Sequence, residues 1–484
     1  MTELPQKKLL QEFEPIFYPK SIAVVGVSQN MLKPGSFWFK TIVDAGFDGN
    51  IYPVNPRGGE FLGFRVYRSL REIPEPVDYV IVSIPRESVP SLLDDCAANK
   101  VKAVHFFTAG FSELGDSSGH KLEEELVEKA REGGFRIIGP NCIGIYSPES
   151  KVPYGPGGKA GKVGSVGFIS QSGGIGEKLI ELGIARGINY SKGISFGNGI
   201  DLDSPDFMEY MAADPKISVI GAYLEGTRNG RRLFNTMKAI ARVKPLIVWK
   251  AGRTDVGAAA AMSHTGSLAS SPAFWSAALK QCGAIEVHGV EELADTLLIF
   301  QQLKHYKGSG NGVAVVGGMA DGGGGISVSA SDACAELGLN IPPLTTRTRQ
   351  GLTNLLGQVG SILRNPVDVS QSGSNPSIIK EALKLIFADP SIDLAIIQID
   401  TGVLLKYLPW EALQALNTVF TDLRSSQDKP IVIVSPPGVA EAERLEMEQA
   451  LTQASIPVFP TMERAAKAIM NLSQYSHFQT TLGN

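Results

Sequence analysis

The sequence predicts an α/β protein made of three consecutive doubly wound domains. Short runs of β-branched residues alternate along the whole chain with segments that carry a charged helical face, which is typical of a parallel sheet covered by helices. Polar, glycine-containing stretches at Lys151–Lys162 and Lys304–Asn311 interrupt this pattern twice. Each of the three parts opens with a strand and then a glycine-containing turn, at Gly26, Gly173-Gly174 and Gly322–Gly325.

The first domain is expected over residues 1–150. Its helices are predicted at Val89–Asn99 and His120–Gly133, and a further helix starts near Pro34. Its strands are predicted at Ser21–Gly26, Asn50–Val54, Tyr79–Ser83, Ala103–Phe107 and Arg136–Gly139.

The second domain is expected over residues 151–307 and the third over residues 308–484. Strands of the second are predicted at Val163–Ser170, Tyr190–Ser195, Val219–Leu224, Leu246–Lys250 and Ala284–Val287, before a helix at Val290–Leu303. Strands of the third are predicted at Val313–Gly317, Leu394–Ile399, Pro430–Val434 and Val458–Pro460.

The composition excludes several classes of protein. The 484 residues carry a formal net charge of −4 with both signs mixed, which argues against a nucleic-acid surface or a membrane-binding basic patch. The four cysteines are far apart and form no CxxC pair, so neither a disulfide framework nor a metal site is expected. The first residues contain no apolar signal segment, and no apolar run approaches the roughly 20 residues of a membrane span. A cytoplasmic protein is therefore expected.

The first domain has a candidate anion site where its opening strand ends. The turn that starts at Gly26 and continues through Ser28 and Gln29 offers backbone amides, and Lys33 lies nearby as a point charge. The turn lacks the second and third glycines of GxGxxG, which disfavours a nicotinamide dinucleotide. After the second strand, Asn55 and Arg57 stand where such a site has an acid, and they suit a phosphorylated ribose better.

The next three strands of this domain also end in residues that suit a ligand site. Ser83 and Pro85 follow the third strand, and Thr108 and Gly110 follow the fourth. In open parallel sheets, ligands bind at these carboxyl ends. The fifth strand runs into Gly139-Pro140-Asn141-Cys142, where the Asn141 amide can hold a carboxylate or phosphate oxygen. Cys142 has no histidine near it in sequence and is interpreted as a packing residue.

The second domain carries a second candidate site. After its opening strand, Gln171, Ser172, Gly173 and Gly174 place a hydroxyl and backbone amides at a helix start, which favours an anion. Glu225 ends the strand Val219–Leu224, and an acid placed there can orient an imidazole.

The histidine that such an acid could orient is His264, one of six in the chain, within Ser263-His264-Thr265-Gly266-Ser267. Its small neighbours leave room for a ligand on the ring, and a neutral imidazole is a good nucleophile near pH 7. Locally, an ordinary loop histidine explains the sequence as well.

Five motifs in this order resemble the α subunit of NDP-forming acyl-CoA synthetases of the ADP-forming acetyl-CoA synthetase type, relatives of succinyl-CoA synthetase. The resemblance covers nearly the whole chain. The motifs are Ser21-Ile-Ala-Val-Val-Gly-Val-Ser28, Ile138-Gly-Pro-Asn-Cys142, Ser170-Gln-Ser-Gly173, Ser263-His-Thr-Gly-Ser267 and Asn365-Pro-Val-Asp-Val369.

The resemblance implies a Rossmann-like CoA-binding domain followed by two flavodoxin-like ligase domains. It also implies that a carboxylic acid, CoA and ATP interconvert with acyl-CoA, ADP and phosphate. His264 would carry the phosphoryl group and Glu225 would hold its ring. Phosphate and the acyl group would meet near Asn141, Gln171, Ser172, Gly173 and Gly174. CoA would bind the first domain, at Gly26, Ser28, Gln29, Lys33, Asn55, Arg57, Ser83, Pro85, Thr108 and Gly110.

The nucleotide site of the family lies in an ATP-grasp domain, for which the sequence offers neither the length nor a GxxxxGK[ST] loop. The resemblance therefore implies a separate β subunit that brings ATP and Mg²⁺, in an α2β2 assembly. Two alternatives stay open: a CoA-binding regulatory or scaffold protein without catalysis, and an NAD(P)-dependent oxidoreductase. The identity of the acid is not readable.

Overall fold

The computed structural model describes residues 3–115, 117–254, 256–257, 272–303, 306, 312–317, 324–357, 362–369 and 375–483. The chain divides into two compact units, one made of Met1–Ile184 with Ile188–Leu293 and the other of Ala185–Gly187 with Ala294–Asn484. The first unit contains two open sheets and the second contains one. The predicted domain boundaries at residues 150 and 307 stay a prediction.

The first sheet is parallel, and a small antiparallel hairpin lies beside it. Its strands are β1 Ser21–Val25, β2 Asn50–Val54, β5 Tyr79–Val82, β6 Ala103–Phe106 and β7 Arg136–Ile138, and the hairpin is β3 Gly59–Phe61 with β4 Phe64–Val66. Helix α1 Glu3–Phe17 precedes this sheet in the chain, and the helices of the sheet are α2 Pro34–Asp44, α3 Val89–Asn99 and α4 Ser117–Gly133. Short 3₁₀ turns lie at Leu70–Glu72, Arg86–Ser88 and Ser112–Leu114. The strand order is β2-β1-β5-β6-β7. Helices cover both faces, so β1, β5 and β6 are buried along their whole length and are almost entirely apolar.

The second sheet repeats this plan with one antiparallel edge. Its strands are β8 Gly144–Tyr146, β9 Val166–Ser170, β10 Tyr190–Ser195, β11 Val219–Leu224, β12 Leu246–Lys250 and β13 Ile285–Glu286. Its helices are α5 Gly173–Ala185, α6 Ser204–Ala213, α7 Gly230–Ala241 and α8 Pro272–Cys282. Helix α9 Val290–Gln302 follows β13, and its residues from Ala294 onward belong to the second unit. The order is β13-β12-β11-β9-β10-β8, and β8 pairs antiparallel with β10.

The third sheet forms the second unit. Its strands are β14 Val313–Gly317, β15 Ile362–Leu363, β16 Val367–Asp368, β17 Leu394–Gln398, β18 Ile431–Val434 and β19 Val458–Phe459. Its helices are α10 Gly324–Glu336, α11 Thr346–Leu356, α12 Pro376–Phe387, α13 Thr401–Leu404, α14 Trp410–Ser426, α15 Glu441–Gln453 and α16 Met462–Gly483. The order is β15-β16-β14-β17-β18-β19, with β15 antiparallel.

The predicted α/β class with parallel sheets is confirmed, but short elements outside the strand–helix alternation were missed. They include β8, β15, the β3–β4 hairpin and the N-terminal helix α1. Helix α1 packs on the second sheet's helix α6, where the rings of Phe13 and Phe17 stack on Tyr210 at centroid distances of 4.9 and 4.8 Å. The two sheets of the first unit therefore share a hydrophobic core.

No helix in the described ranges combines the length and the apolar character that crossing a bilayer requires.

Candidate active site

A cavity of about 660 Å³ lies where the carboxyl ends of strands from the first two sheets face each other. It brings together residues that the sequence assigned to two separate sites, namely Lys33, Ser83, Pro85, Thr108, Asn141, Gln171, Ser172, Gly173 and Gly174. Sequence reasoning missed several other lining residues, including Arg86, Phe107, Ile143, Gly197 and Asn198. One space thus contacts both the predicted CoA-binding loops and the predicted phosphate-binding helix start.

The turn after β1 brings two backbone segments very close together. Gly26 has φ +105°, and a Cβ added to it would lie 2.2 Å from the carbonyl oxygen of Ser83. The Gly26 N–H donates to the Val54 carbonyl at 3.0 Å. Because neither neighbour is a flexible side chain, this position requires glycine.

Six predicted ligand residues of the first domain do not line the cavity: Gly26, Ser28, Gln29, Asn55, Arg57 and Gly110. The amide of Asn55 is used within its own turn. Its Nδ2 donates to the Val27 carbonyl at 2.8 Å, and its Oδ1 accepts from the Arg57 N–H at 2.9 Å. The Gln29 amide donates to the Glu60 carbonyl at 2.6 Å, and the Arg57 side chain is exposed. Asn55 therefore shapes the turn, and contact between these residues and a ligand stays a prediction.

Two cations line the cavity, Lys33 and Arg86. Lys33 is the N-cap residue of α2. The Arg86 guanidinium donates to the carbonyl of Gly110 and pairs with Glu87 at 3.2 Å. Arg86 lies in the 3₁₀ turn after β5. No pattern in the sequence around it distinguishes it from an ordinary surface arginine. Their positive charge suits the phosphates of a ligand such as CoA.

The turn that presents Asn141 to the cavity is held from both sides. Asn141 itself has φ +57°, and its N–H donates to the Thr108 carbonyl at 3.0 Å. On the buried side, the fully buried His105 ring contacts the Cys142 carbonyl through Nε2 at 3.1 Å. Cys142 is buried, as its interpretation as a packing residue requires, and burial raises the pKa of its thiol.

The buried His105 gives a testable dependence of stability on pH. Burial lowers the pKa of His105 to about 4, although its bond to the Cys142 carbonyl opposes the shift. An unfolded histidine titrates near pH 6.5, so below that pH the unfolded chain gains a proton that the folded chain does not. The free energy of unfolding should therefore fall by about 3 kcal/mol from this group between pH 6.5 and pH 4.

In His105→Gln, which keeps a donor for the Cys142 carbonyl, we expect this part of the pH dependence to disappear. Urea unfolding at pH 7 and pH 4.5 measures it. Equal losses of stability in the wild type and the variant would contradict the assignment.

The start of α5 forms the opposite wall of the cavity. The Ser172 hydroxyl accepts from the Ile175 N–H at 3.4 Å, which caps the helix. The first two backbone N–H groups of the helix, those of Gly173 and Gly174, donate to no acceptor in the described part of the chain. A Cβ on Gly174 would meet nothing within 4 Å, so the backbone there faces open space. A helix start with exposed amides suits an anion.

Gln171 joins this wall to Glu225. Its side-chain carbonyl accepts from the Glu225 N–H at 2.7 Å and from the Gly226 N–H at 3.0 Å. Gln171 and Glu225 are 7 and 6% exposed. The backbone of Glu225, the predicted orienting acid, is thus hydrogen-bonded to the side chain of a residue of the cavity wall. His264, which this acid was predicted to orient, lies outside the described residues.

Among the described residues, no cluster of three or more His, Cys, Asp or Glu side chains is arranged to hold a metal ion.

Comparison with known proteins agrees with this geometry. Residues 20–148 match the model of a CoA binding domain, and residues 163–300 match that of a succinyl-CoA ligase-like flavodoxin domain. The chain is 35% identical over 471 residues to the α subunit of acetate–CoA ligase (ADP-forming) I of Pyrococcus furiosus, which spans 96% of this chain and 98% of that one. The chain belongs to the family of ADP-forming acyl-CoA ligase α subunits.

Two further comparisons place this ligase α subunit among its relatives. It is 35% identical to acetate–CoA ligase (ADP-forming) I of Archaeoglobus fulgidus, but spans 64% of that longer protein. A solved structure of the Candidatus Korarchaeum cryptofilum dinucleotide-forming acetyl-coenzyme A synthetase 1, in complex with phosphate and ADP, superposes with a TM-score of 0.84. That match has 29% identity and covers 97% of this chain and 98% of that chain. The predicted family and the predicted enzyme class, an acid–thiol ligase, are thereby confirmed.

Proposed function

We propose that this chain is the subunit of an ADP-forming acyl-CoA synthetase that binds CoA and carries the phosphoryl group. The reaction interconverts a carboxylic acid, CoA and ATP with acyl-CoA, ADP and phosphate. The observation that carries the proposal is the single cavity that joins Lys33, Ser83 and Thr108 to the exposed amides at the start of α5. Acyl-CoA and phosphate must meet for the reaction to proceed, and this cavity is lined by groups suited to each.

In the direction of acyl-CoA breakdown, a phosphate oxygen attacks the thioester carbonyl and the CoA thiolate leaves, which gives an acyl phosphate. Asn141 and the amides of Gly173 and Gly174 hold the phosphate oxygens. A ring nitrogen of His264 then attacks phosphorus, and the carboxylate leaves. Glu225 orients the ring and stabilises the charge that develops on it.

The phosphohistidine then transfers its phosphoryl group to ADP. We propose that a partner subunit of the ATP-grasp type binds the nucleotide with Mg²⁺, in an α2β2 assembly. The Pyrococcus relative is named a subunit, whereas the Archaeoglobus relative is a longer protein without that word in its name, which supports a second component. The structure related at 29% identity contains phosphate and ADP.

Phosphoenzyme formation tests the proposal without the partner. The purified chain is incubated with acetyl-CoA, labelled phosphate and Mg²⁺, and acid-labile, base-stable label on the protein is measured. We expect label on the wild type, none on His264→Ala, and wild-type label on His120→Ala, which removes an exposed histidine of α4.

The same experiment separates the alternatives. CoA binding without label in the wild type would contradict the ligase proposal and favour a scaffold protein. Tight NADH binding in place of CoA binding would favour an oxidoreductase.

A further inference from the structure

Asn198 lines the active-site cavity, but its side-chain amide bonds to the protein and has no part in the proposed mechanism. It follows β10 and is 8% exposed. Its Nδ2 donates to the carboxylate of Glu113 at 2.7 Å and to that of Glu123 at 2.9 Å. Its backbone N–H donates to the Pro140 carbonyl at 3.0 Å. A residue that follows a strand of the second sheet is therefore bonded to the segment that follows β6 and to helix α4 of the first.

The Asn198 amide separates two carboxylates. Because one nitrogen donates to both Glu113 and Glu123, the two groups lie close together, and their like charges repel. Glu123 is 3% exposed and is also held by the Ser112 hydroxyl at 2.6 Å and by Nη2 of Arg228 at 2.9 Å. Without the Asn198 donor, the less buried Glu113 is the carboxylate that we expect to move away.

Glu113 in turn fixes the turn at Gly110. Its carboxylate accepts from the Gly110 N–H at 2.5 Å and from the Phe111 N–H at 3.1 Å. The Gly110 carbonyl accepts from the guanidinium of Arg86, and a Cβ on Gly110 would lie 3.2 Å from Cδ of Arg86. Hydrogen bonds thus run without a break from Asn198 through Glu113 and Gly110 to a cation that lines the cavity.

The Arg86 guanidinium keeps donors for a ligand. Its Nη1 donates to the Gly110 carbonyl and its Nε to Glu87, whereas Nη2 donates to no acceptor within the described ranges. An arginine side chain has many rotamers, and ordering it on ligand binding costs conformational entropy. A guanidinium that is already held by a fixed carbonyl avoids part of that cost.

We propose that Asn198 is a positioning residue for CoA, which acts through Glu113 and Gly110 on the guanidinium of Arg86. This inference rests on the proposed function, in which the cavity binds CoA, and it gives Arg86 a phosphate of CoA as its ligand. Asn198 then contributes to the affinity for CoA and not to the transfer of the phosphoryl group.

A double-mutant cycle tests this connection. Asn198→Leu removes the donor at similar side-chain volume, Arg86→Met removes the guanidinium, and the affinity for CoA is measured by isothermal titration in each variant and in the double variant. Asn99→Leu is the matched control. Asn99 is 9% exposed, and its amide accepts from the Val77 N–H at 2.9 Å and donates to the Leu70 carbonyl at 3.1 Å, so it is a buried asparagine that does not line the cavity.

We expect Asn198→Leu to weaken CoA binding by about 5- to 10-fold, because a misplaced binding group is costly. In the Arg86→Met background the same substitution should cost less than about 2-fold, since the group that Asn198 positions is absent. The rate of phosphoenzyme formation at saturating acetyl-CoA should stay within about 3-fold of the wild type, because loss of binding alone leaves the rate at saturation unchanged. Asn99→Leu should lower the free energy of unfolding and leave the affinity for CoA unchanged.

Equal losses of CoA affinity from Asn198→Leu in the two backgrounds would overturn the inference, because Asn198 would then act without Arg86. Unchanged affinity in Asn198→Leu or in Arg86→Met would also overturn it. If Asn198→Leu does not fold, Asn198→Ala in the same two backgrounds decides. A wild type that does not bind CoA would contradict the proposed function itself, whereas CoA binding with additive losses would contradict the role of Asn198 alone.

Discussion

Glu225→Gln should lower the rate of phosphoenzyme formation by up to about 10⁴-fold, the loss seen when the orienting acid of a catalytic histidine becomes an amide. Glutamine has nearly the shape of glutamate, so the backbone bonds from residues 225 and 226 to Gln171 should persist. What disappears is the negative charge that stabilises an imidazolium, and an amide N–H₂ donor replaces one of the two acceptor oxygens that fix the tautomer of the ring.

CoA affinity should change little in Glu225→Gln, because Glu225 is not among the residues that line the cavity. Glu286→Gln is the control. Glu286 lies on the edge strand β13, which β12 separates from β11, and its carboxylate accepts from the Ser276 hydroxyl at 2.6 Å. Rapid-quench measurement of the label gives the rates, and isothermal titration gives the CoA affinity. Wild-type labelling rates in Glu225→Gln would show that Glu225 does not orient the phosphoryl carrier.

The alternation of strands and helices could be predicted closely because it depends on local sequence. The bounds of Asn50–Val54, Tyr190–Ser195, Val219–Leu224 and Leu246–Lys250 were predicted to the residue. Val219–Leu224 and Leu246–Lys250 are buried along almost their whole length and are nearly continuous apolar runs, the pattern that marks strands covered on both faces. Tyr190–Ser195 is buried although half of its residues are polar, and Asn50–Val54 is an edge strand with an exposed first residue. Glycine-rich turns then give the carboxyl ends and thereby the approximate location of the site.

The missed elements depend on pairing between distant residues. Gly144–Tyr146 is a strand because it lies antiparallel to Gly193–Ser195, and three residues contain too little pattern to reveal this pairing. Ile362–Leu363 in the second unit is a similar case. Helix α1 is stabilised by aromatic stacking on Tyr210, almost two hundred residues away.

The candidate site likewise has residues that local sequence predicts and others that only distant contacts reveal. Asn141, Ser172 and Glu225 could be selected from their positions after strands. The sequence could not show that Gln171 uses its side chain to join Glu225 to the cavity wall, nor that the Asn55 amide is consumed within its own turn. Arg86 and Asn198 were missed because only the approach of the two sheets places them on one cavity. The residue type and its position at a strand end predict the region of the site. Which polar atoms remain free to contact a ligand depends on hydrogen bonds within the protein, and these are visible only in the structure.

Gly26→Ala should both destabilise the first unit and weaken CoA binding. A methyl group at this position would lie 2.2 Å from the Ser83 carbonyl oxygen, and the backbone has φ +105°. The unfavourable φ alone costs an alanine about 1–2 kcal/mol. The overlap adds about 1–3 kcal/mol, because relieving it requires movement of backbone on β1 or β5.

Gly59→Ala separates the cost of the backbone strain from the cost of the steric overlap. Gly59 has φ +102°, almost the value of Gly26, but a Cβ there would meet nothing within 4 Å. Urea unfolding should therefore show a loss of about 1–2 kcal/mol for Gly59→Ala. For Gly26→Ala it should show roughly 2–5 kcal/mol, the sum of the strain and the overlap.

The effect on CoA binding follows from where the displaced backbone lies. Ser83 lines the cavity, so pushing it away from Gly26 changes the cavity wall directly. We expect CoA affinity, measured by isothermal titration on the folded protein, to fall more than about 10-fold in Gly26→Ala, since even small misplacement of binding groups is costly. In Gly59→Ala the affinity should stay near the wild-type value. Equal stability losses in the two variants, with unchanged CoA affinity in both, would show that the close approach of Gly26 to Ser83 does not shape the CoA site.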